Sequence, residues 1–205
     1  MTKLTEPEEV TRRTYDGLAD KWVADHSSTD FYAEELKTFQ RLLPDGSILE
    51  IGSGGGRDAQ ALVKAGYNYL GTDISSGLIK AASKINPDAK FEKVSIYDLN
   101  FPQPFDGFWC AAMLIHIPKS RINEALQAIK RNMRRGAIGF ITIKEGIGEG
   151  LEQKTELDGG GRFFAYWQNN EFKKVLTSNG FEVIEEEYRP SSERSKWLIY
   201  FVKAQ

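Results

Sequence analysis

Apolar positions along this chain follow two periods that alternate. Residues 7–25 and 29–43 space their apolar side chains as helices do, and the turn Pro44-Asp45-Gly46 ends the second. A short β-branched run, 47–53, follows and leads through glycines into a helical stretch at 58–66, with Gly66 as its stop. The alternation then repeats: strand 67–74, helix 76–85, strand 89–96, and the nearly continuous apolar strand 105–114, the pattern of a strand covered on both faces. Helical spacing returns over 118–135, with Pro118 in the first turn and Gly136 after the last, before strand 137–145.

Residues 146–165 interrupt this rhythm with Gly146, Gly148, Gly150 and the triplet Gly159-Gly160-Gly161, which predicts a mobile loop, a lid in function. A helix over 167–179 and two strands, 181–189 and 196–204, complete the chain. The link between those strands is too short for a parallel crossover, so they form an antiparallel pair. The pattern is an α/β protein: a doubly wound, Rossmann-like seven-stranded sheet with an antiparallel last strand and a helical N-terminal cap. The cap spans 1–46 and the α/β body 47–205, one structural unit without repeats or a linker.

The chain has 205 residues, 40% of them hydrophobic and 27% charged, with a net charge of −2. That balance lacks the basic excess of a non-specific nucleic-acid binder. The basic stretch 130–135 reads as a solvated helix end. The longest apolar run, Phe108 to Ile115, is far short of the ~18 residues of a membrane span. The start has no apolar stretch behind a basic end, so no secretory signal is expected there. One cysteine, Cys110, and two histidines at non-ligating spacing predict no disulfide and no metal site. A cytoplasmic protein without nucleic-acid or membrane partners is the expectation, with its oligomeric state open.

Glu50-Ile51-Gly52-Ser53-Gly54-Gly55-Gly56-Arg57-Asp58 closes a predicted strand and opens a helix. Glycines there admit positive φ and let a ligand lie on bare backbone, while the helix N-terminus favours a negative group. Asp73 ends the next strand, where a carboxylate can accept both hydroxyl hydrogens of a ribose. A nicotinamide fingerprint would place its third glycine at position 57, which is Arg57, and a Gly-Lys-Ser/Thr ending is absent.

These residues, with the acid of GTDIS, the IYDL acid, the strand FDGFWCAAMLIHIP and NGFEV, resemble the class I S-adenosylmethionine-dependent methyltransferases, from about Tyr15 to Lys203. The resemblance implies that the final strand inserts between the fifth and sixth. It also implies S-adenosyl-L-methionine as cofactor and S-adenosyl-L-homocysteine as product. Gly52, Ser53, Gly54 and Gly56 would pass beneath its methionine and ribose portions, and Asp73 would hold the ribose. Glu50 would order the turn or reach the amino group through water, and Arg57 would approach the methionine carboxylate. Ile74, Tyr97 and Leu99 would flank the adenine and Asp98 would bond its amine, with backbone at Cys110 and Ala111 meeting the methionine amine.

Methyl transfer from a sulfonium needs alignment above all, and a base only for some acceptors. His116, at the carboxyl end of the buried strand, has a suitable unperturbed pKa and is the candidate base; lining the pocket is its plainer role. Tyr15 lies in TYDGLADKW, which resembles the family's Tyr-Asp-x-x-Ala-x-x-Tyr cap element with Trp22 replacing the second tyrosine. Related phosphobase enzymes pair such a tyrosine with a histidine, so Tyr15 and His116 are the expected catalytic pair. Arg162, Phe164 and Tyr166, after the glycine-rich loop, are the expected substrate wall, with Arg162 meeting an acidic group. A small-molecule acceptor at O, N or S follows, because the strand ends in Cys110-Ala111-Ala112-Met113 without a nucleic-acid enzyme's motif. The competing readings are a non-catalytic S-adenosylmethionine-binding module and, less favoured, a nicotinamide oxidoreductase.

Overall fold

The computed structural model describes residues 2–26, 28, 31–153, 160–192 and 195–205. Three helices precede the first strand: α1 (Glu6–Gly17), α2 (Ala19–Asp25) and α3 (Ala33–Leu42). The single helix expected over 7–25 is broken at Leu18, whose backbone (φ −111°, ψ 11°) leaves the helical region. A capping box starts α1: the Glu8 carboxylate accepts from the Thr5 amide at 2.7 Å.

The body then alternates: β1 (Ser47–Ile51), α4 (Arg57–Lys64), β2 (Asn68–Asp73), α5 (Ser76–Ile85), β3 (Lys90–Lys93), β4 (Phe105–Ala111), α6 (Ile122–Arg131) and β5 (Met133–Lys144). A hairpin of β6 (Glu149–Gln153) and β7 (Gly161–Ala165) follows, then α7 (Asn169–Ser178), β8 (Phe181–Ser192) and β9 (Ser195–Ala204). Seven strands form one sheet in the order β3-β2-β1-β4-β5-β9-β8, and β9 runs antiparallel to both its neighbours. The fold class and the insertion of the last strand are as expected.

Alternating residues of the central strands enter two cores. Leu49, Ile51, Phe108 and Cys110 pack with α6 and α7, while Ile48 and Trp109 pack with α3 and α4. Both faces are thereby covered, which is why these strands read as continuous apolar runs. The chain leaves β1 outward through β2 and β3, then returns on β1's other side as β4. A cleft therefore opens at the carboxyl ends of β1 and β4.

Two expectations fail. The helix expected over 118–135 stops at Arg131, because the Asn132 amide group bonds Leu99 O at 3.0 Å and Ala128 O at 2.8 Å and accepts from Phe101 N at 2.9 Å. Residues 133–135 consequently open β5, so half of the basic stretch is strand. The loop expected over 146–165 contains the β6–β7 hairpin, in register Leu151↔Phe163, and residues 154–159 of that span lie outside the described residues.

The cap is seated by Asp16. Its Oδ1 accepts from Ser75 Oγ at 2.7 Å and from Gly77 N at 3.0 Å, placing a carboxylate on the N-terminus of α5. Gly77 allows this approach: a Cβ there would lie 2.7 Å from Asp16 O and 3.0 Å from Ala19 Cβ. Gly77→Val is expected to push the cap off α5, costing about 1–3 kcal/mol. Thermal unfolding and amide exchange check this; unaltered exchange in α1 and α2 would remove the contact from the account.

Candidate functional site

The carboxyl end of β1 leads into the glycine turn. Gly52 N and Ser53 N both donate to Thr72 O, at 2.8 and 2.9 Å, which ties the turn to β2. Gly52, Gly54 and Gly56 all have positive φ, of 73°, 55° and 79°. At Gly54 the open side faces a cavity: an added Cβ would find only Trp22 Nε1, at 4.0 Å. The turn therefore presents bare backbone where a side chain would intrude.

Asp73 closes the turn from the end of β2. One carboxylate oxygen accepts from Gly54 N at 2.9 Å and the other from Ser75 N at 2.8 Å. Burial nevertheless raises its pKa above the ordinary carboxylate value. Glu50 is buried beneath the turn and takes the Tyr69 hydroxyl. Burial, then the neighbouring Asp58, pushes its carboxyl well above the usual range. Arg57 is engaged by Asp58, through Nε to Oδ1 at 2.6 Å and Nη2 to Oδ2 at 3.2 Å, and lies against the rings of Phe31 and Tyr32.

A cavity of about 720 Å³ runs from this turn, past Asp73, Ile74 and Tyr97, to Ala111, Ala112, Met113 and His116. That volume falls within the ~300–1,000 Å³ of small-molecule sites. Along its wall the Ser53 hydroxyl is buried without a hydrogen-bond partner. Buried polar groups are ordinarily paired, so this one fits a ligand on the turn. Ala112 adopts a left-handed φ of 54°, held by its N–H bond to Thr142 Oγ1 at 2.9 Å.

Tyr15 and His116 meet at the far end of the cavity, 3.0 Å apart between hydroxyl and Nε2. His116 Nδ1 lies 2.7 Å from Phe163 O, and a carbonyl only accepts, so Nδ1 carries the hydrogen. Nε2 is thus the acceptor and the Tyr15 hydroxyl donates to it. Arg162 Nη1 in turn donates to the Tyr15 oxygen at 3.0 Å. Burial, against the Phe163 carbonyl and aided by Arg162 and Lys144, lowers the His116 pKa to about 4. Burial raises that of Tyr15.

Phe164 lines the cavity, as does Trp22, whose ring stands edge-on to Tyr15 at 5.0 Å between centroids. His26 stacks on Trp22 at 3.7 Å, an exposed residue at the cavity's rim.

Several expected residues lie elsewhere. Asp98 turns away from the cavity: its carboxylate takes the Thr2 amide at 2.9 Å and the Thr2 hydroxyl at 2.7 Å. Leu99 and Cys110 are core residues, and burial raises the Cys110 thiol. Tyr166 is held by Glu152 outside the cavity lining. Conversely, Lys144 and Trp197 line the cavity without having been anticipated, as do Phe31 and Tyr32. A lysine at the carboxyl end of a buried strand was the available sequence signal for Lys144. The lid expectation for 146–165 has its two arms in the hairpin.

Residues 48–136 match the family model of a methyltransferase domain. Over those residues the chain is similar to methyltransferase domains. A ubiquinone biosynthesis O-methyltransferase of Paracidovorax citrulli is 31% identical over 47% of this chain and 43% of its own length. An uncharacterized protein of Methanocaldococcus jannaschii is 32% identical over 67% of this chain and 64% of its own. This chain therefore spans less than two thirds of the length of either relative. In fold it is similar to the Burkholderia thailandensis 1,6-didemethyltoxoflavin-N1-methyltransferase, solved with 1,6-didemethyltoxoflavin and S-adenosylhomocysteine. That likeness has a TM-score of 0.77 at 17% identity, over 100% of this chain and 93% of the other. Among the described residues, no helix is long and apolar enough to cross a membrane and no His/Cys/Asp/Glu group is arranged to hold a metal ion.

The depressed His116 pKa has a consequence for stability. Between about 4 and 6.5 the unfolded chain binds this proton and the folded chain does not, so His116 favours folding above pH 6.5 and that contribution is lost as pH falls toward 4. Raised carboxyls such as Asp73 act in the opposite sense. The difference between wild type and His116→Gln isolates the histidine: denaturant unfolding from pH 7 to 4 is expected to show the wild type losing more stability. Parallel pH profiles would contradict the buried neutral imidazole.

Proposed function

We propose that this chain binds S-adenosylmethionine and transfers its methyl group to a small-molecule acceptor that gives up a proton. The observation that carries the reading is one continuous cavity, with the glycine turn and Asp73 at one end and the Tyr15–His116 pair at the other. Ser53, the Gly54 backbone and Asp73 would hold the ribose and methionine portions, with Ile74 and Tyr97 toward the adenine. The Asp73 carboxylate at this end suits a ligand bearing ammonium and sulfonium charge.

The bound cofactor supplies an activated methyl carbon. The chain's part is to align the acceptor, exclude water and manage one proton. Tyr15 already donates to the Nε2 lone pair of His116, so its oxygen can take the acceptor's proton as its own passes to Nε2. Arg162, bonded to the same oxygen, stabilises negative charge developing there. The Phe163 carbonyl receives Nδ1–H and keeps the imidazole in the accepting tautomer. An acceptor O–H or N–H matches this chemistry. The hairpin carrying Arg162 and Phe164 would cover the acceptor.

Calorimetry with S-adenosylmethionine, S-adenosylhomocysteine and NADH tests the cofactor. The first two are expected to bind, and Asp73→Ala to weaken both at least about tenfold, an energy typical of lost charge-assisted hydrogen bonds. NADH binding alone, or undiminished binding by the variant, would reject the reading.

Tyr15→Phe and His116→Ala are each expected to lower turnover about 100-fold, within the usual range for general-base groups, while donor affinity stays close to wild type. Release of S-adenosylhomocysteine on acceptor addition is the measurement. Wild-type turnover in both variants would leave the pair a structural contact only.

A further inference from the structure

The acceptor end of the cavity differs in charge from the donor end. Arg162 on β7 and Lys144 at the end of β5 both line it, and both lower the affinity of His116 for a proton. Arg162 is more than nine-tenths buried, with 8% of its surface exposed. Its Nη1 bonds the Tyr15 hydroxyl, whereas its Nε is buried without a partner. Among the described residues no carboxylate forms an ion pair with it. Glu152, opposite it across the hairpin, is taken by the Tyr166 hydroxyl. A guanidinium buried without a counter-charge is expensive to maintain, and an arriving anion would offset that cost.

The surroundings of these two cations are aromatic. The Arg162 guanidinium lies 5.1 Å from the Trp22 ring, 5.2 Å from Phe164 and 5.6 Å from Tyr15. Lys144 Nζ lies 5.1 Å from the same Phe164 ring and 5.4 Å from Trp197. Cation–π contacts orient the Arg162 guanidinium without neutralising it. Phe164 is thus shared between the two, and together they frame a compartment with ring-faced walls and positive charge beside the Tyr15–His116 pair.

From this arrangement we propose that the acceptor is an aromatic compound bearing an anionic group, a carboxylate or a phosphate, which Arg162 and Lys144 bind while its ring packs against Phe164. The inference rests on the methyl-transfer reading and narrows its acceptor class. Arg162 then acts twice, on the acceptor's anion and on the Tyr15 oxygen, so substrate binding and the proton-accepting group share one guanidinium.

The test titrates benzoate, phenyl phosphate, benzamide and benzylamine by calorimetry into protein saturated with S-adenosylhomocysteine. At least one of the two anions is expected to bind about tenfold or more tighter than benzamide, as suits a charge-assisted bond to a buried arginine, and which anion leads separates carboxylate from phosphate. Lys144→Met and Arg162→Gln are each expected to reduce that preference to within about threefold of unity, with S-adenosylhomocysteine affinity retained. Should Arg162→Gln fail to fold, Lys144→Met decides. The bound anion is also expected to raise the His116 pKa, read by proton NMR; His116 and His26 are the two histidines to assign.

Equal binding of benzamide, preferential binding of benzylamine, or no binding by either anion would overturn the proposal. So would an anion preference that survives in Lys144→Met. Failure of S-adenosylhomocysteine to bind at the outset would instead count against the methyl-transfer reading. The four probes are then titrated into the protein without it and judged by the same criteria.

Discussion

The grip of the Asp73 carboxylate on two backbone N–H groups is the constraint on which the site depends. One oxygen holds Gly54 at the apex of the turn, and the other holds Ser75 before α5. Thr72, the preceding residue, fastens Gly52 and Ser53 through its carbonyl. The ends of β1 and β2 are thereby joined into one rigid corner, at the edge of the cleft the sheet topology creates. Asp16 builds the cap onto this corner through the Ser75 hydroxyl and Gly77 N, so one short segment, 73–77, positions both floor and roof.

The roof is tied down by charge at its other end. Glu8 on α1 accepts from the Tyr97 hydroxyl and pairs with Arg121 at 3.0 Å, while the guanidinium lies 3.6 Å from the Tyr97 ring centroid. Thr14 Oγ1 bonds Gly161 O at 2.7 Å, and Thr11 Oγ1 accepts from Phe163 N at 2.8 Å, joining α1 to the hairpin. Helix α1 therefore touches Tyr97 on the cavity wall, the α5 terminus and the β6–β7 hairpin at once. The end of the cavity at the glycine turn and the end holding Tyr15, His116, Lys144 and Arg162 thus lie under one helix.

How much of this was legible in the sequence depends on whether the determining contact is local. The glycine turn and Asp73 were legible because bare backbone and a strand-end acid are demanded by residue type at fixed places in a βαβ unit. The antiparallel end of the sheet followed from the short link between its strands, and the Tyr15–His116 meeting from the family resemblance. Asp98 was misplaced because its partner, Thr2, lies nearly a hundred positions away and leaves no periodic trace. The hairpin was hidden by its own composition: Gly150 and Gly161 dilute the alternation of Leu151 and Phe163. Arg162 was visible as a cation after a glycine run, whereas Lys144 and Trp197 gain meaning only when β5 and β9 pair.

That pairing has a consequence of its own. Lys144 and Trp197 stand directly opposite each other in an antiparallel ladder. Across the parallel strands, residues at the cleft belong to separate crossover loops and can be exchanged one at a time. Here two neighbours share a single ladder rung, and a slip of one residue would turn the tryptophan to the other face. The final strand thus works as a ruler for that end of the cavity: its alignment with β5 fixes which side chains can stand beside the lysine.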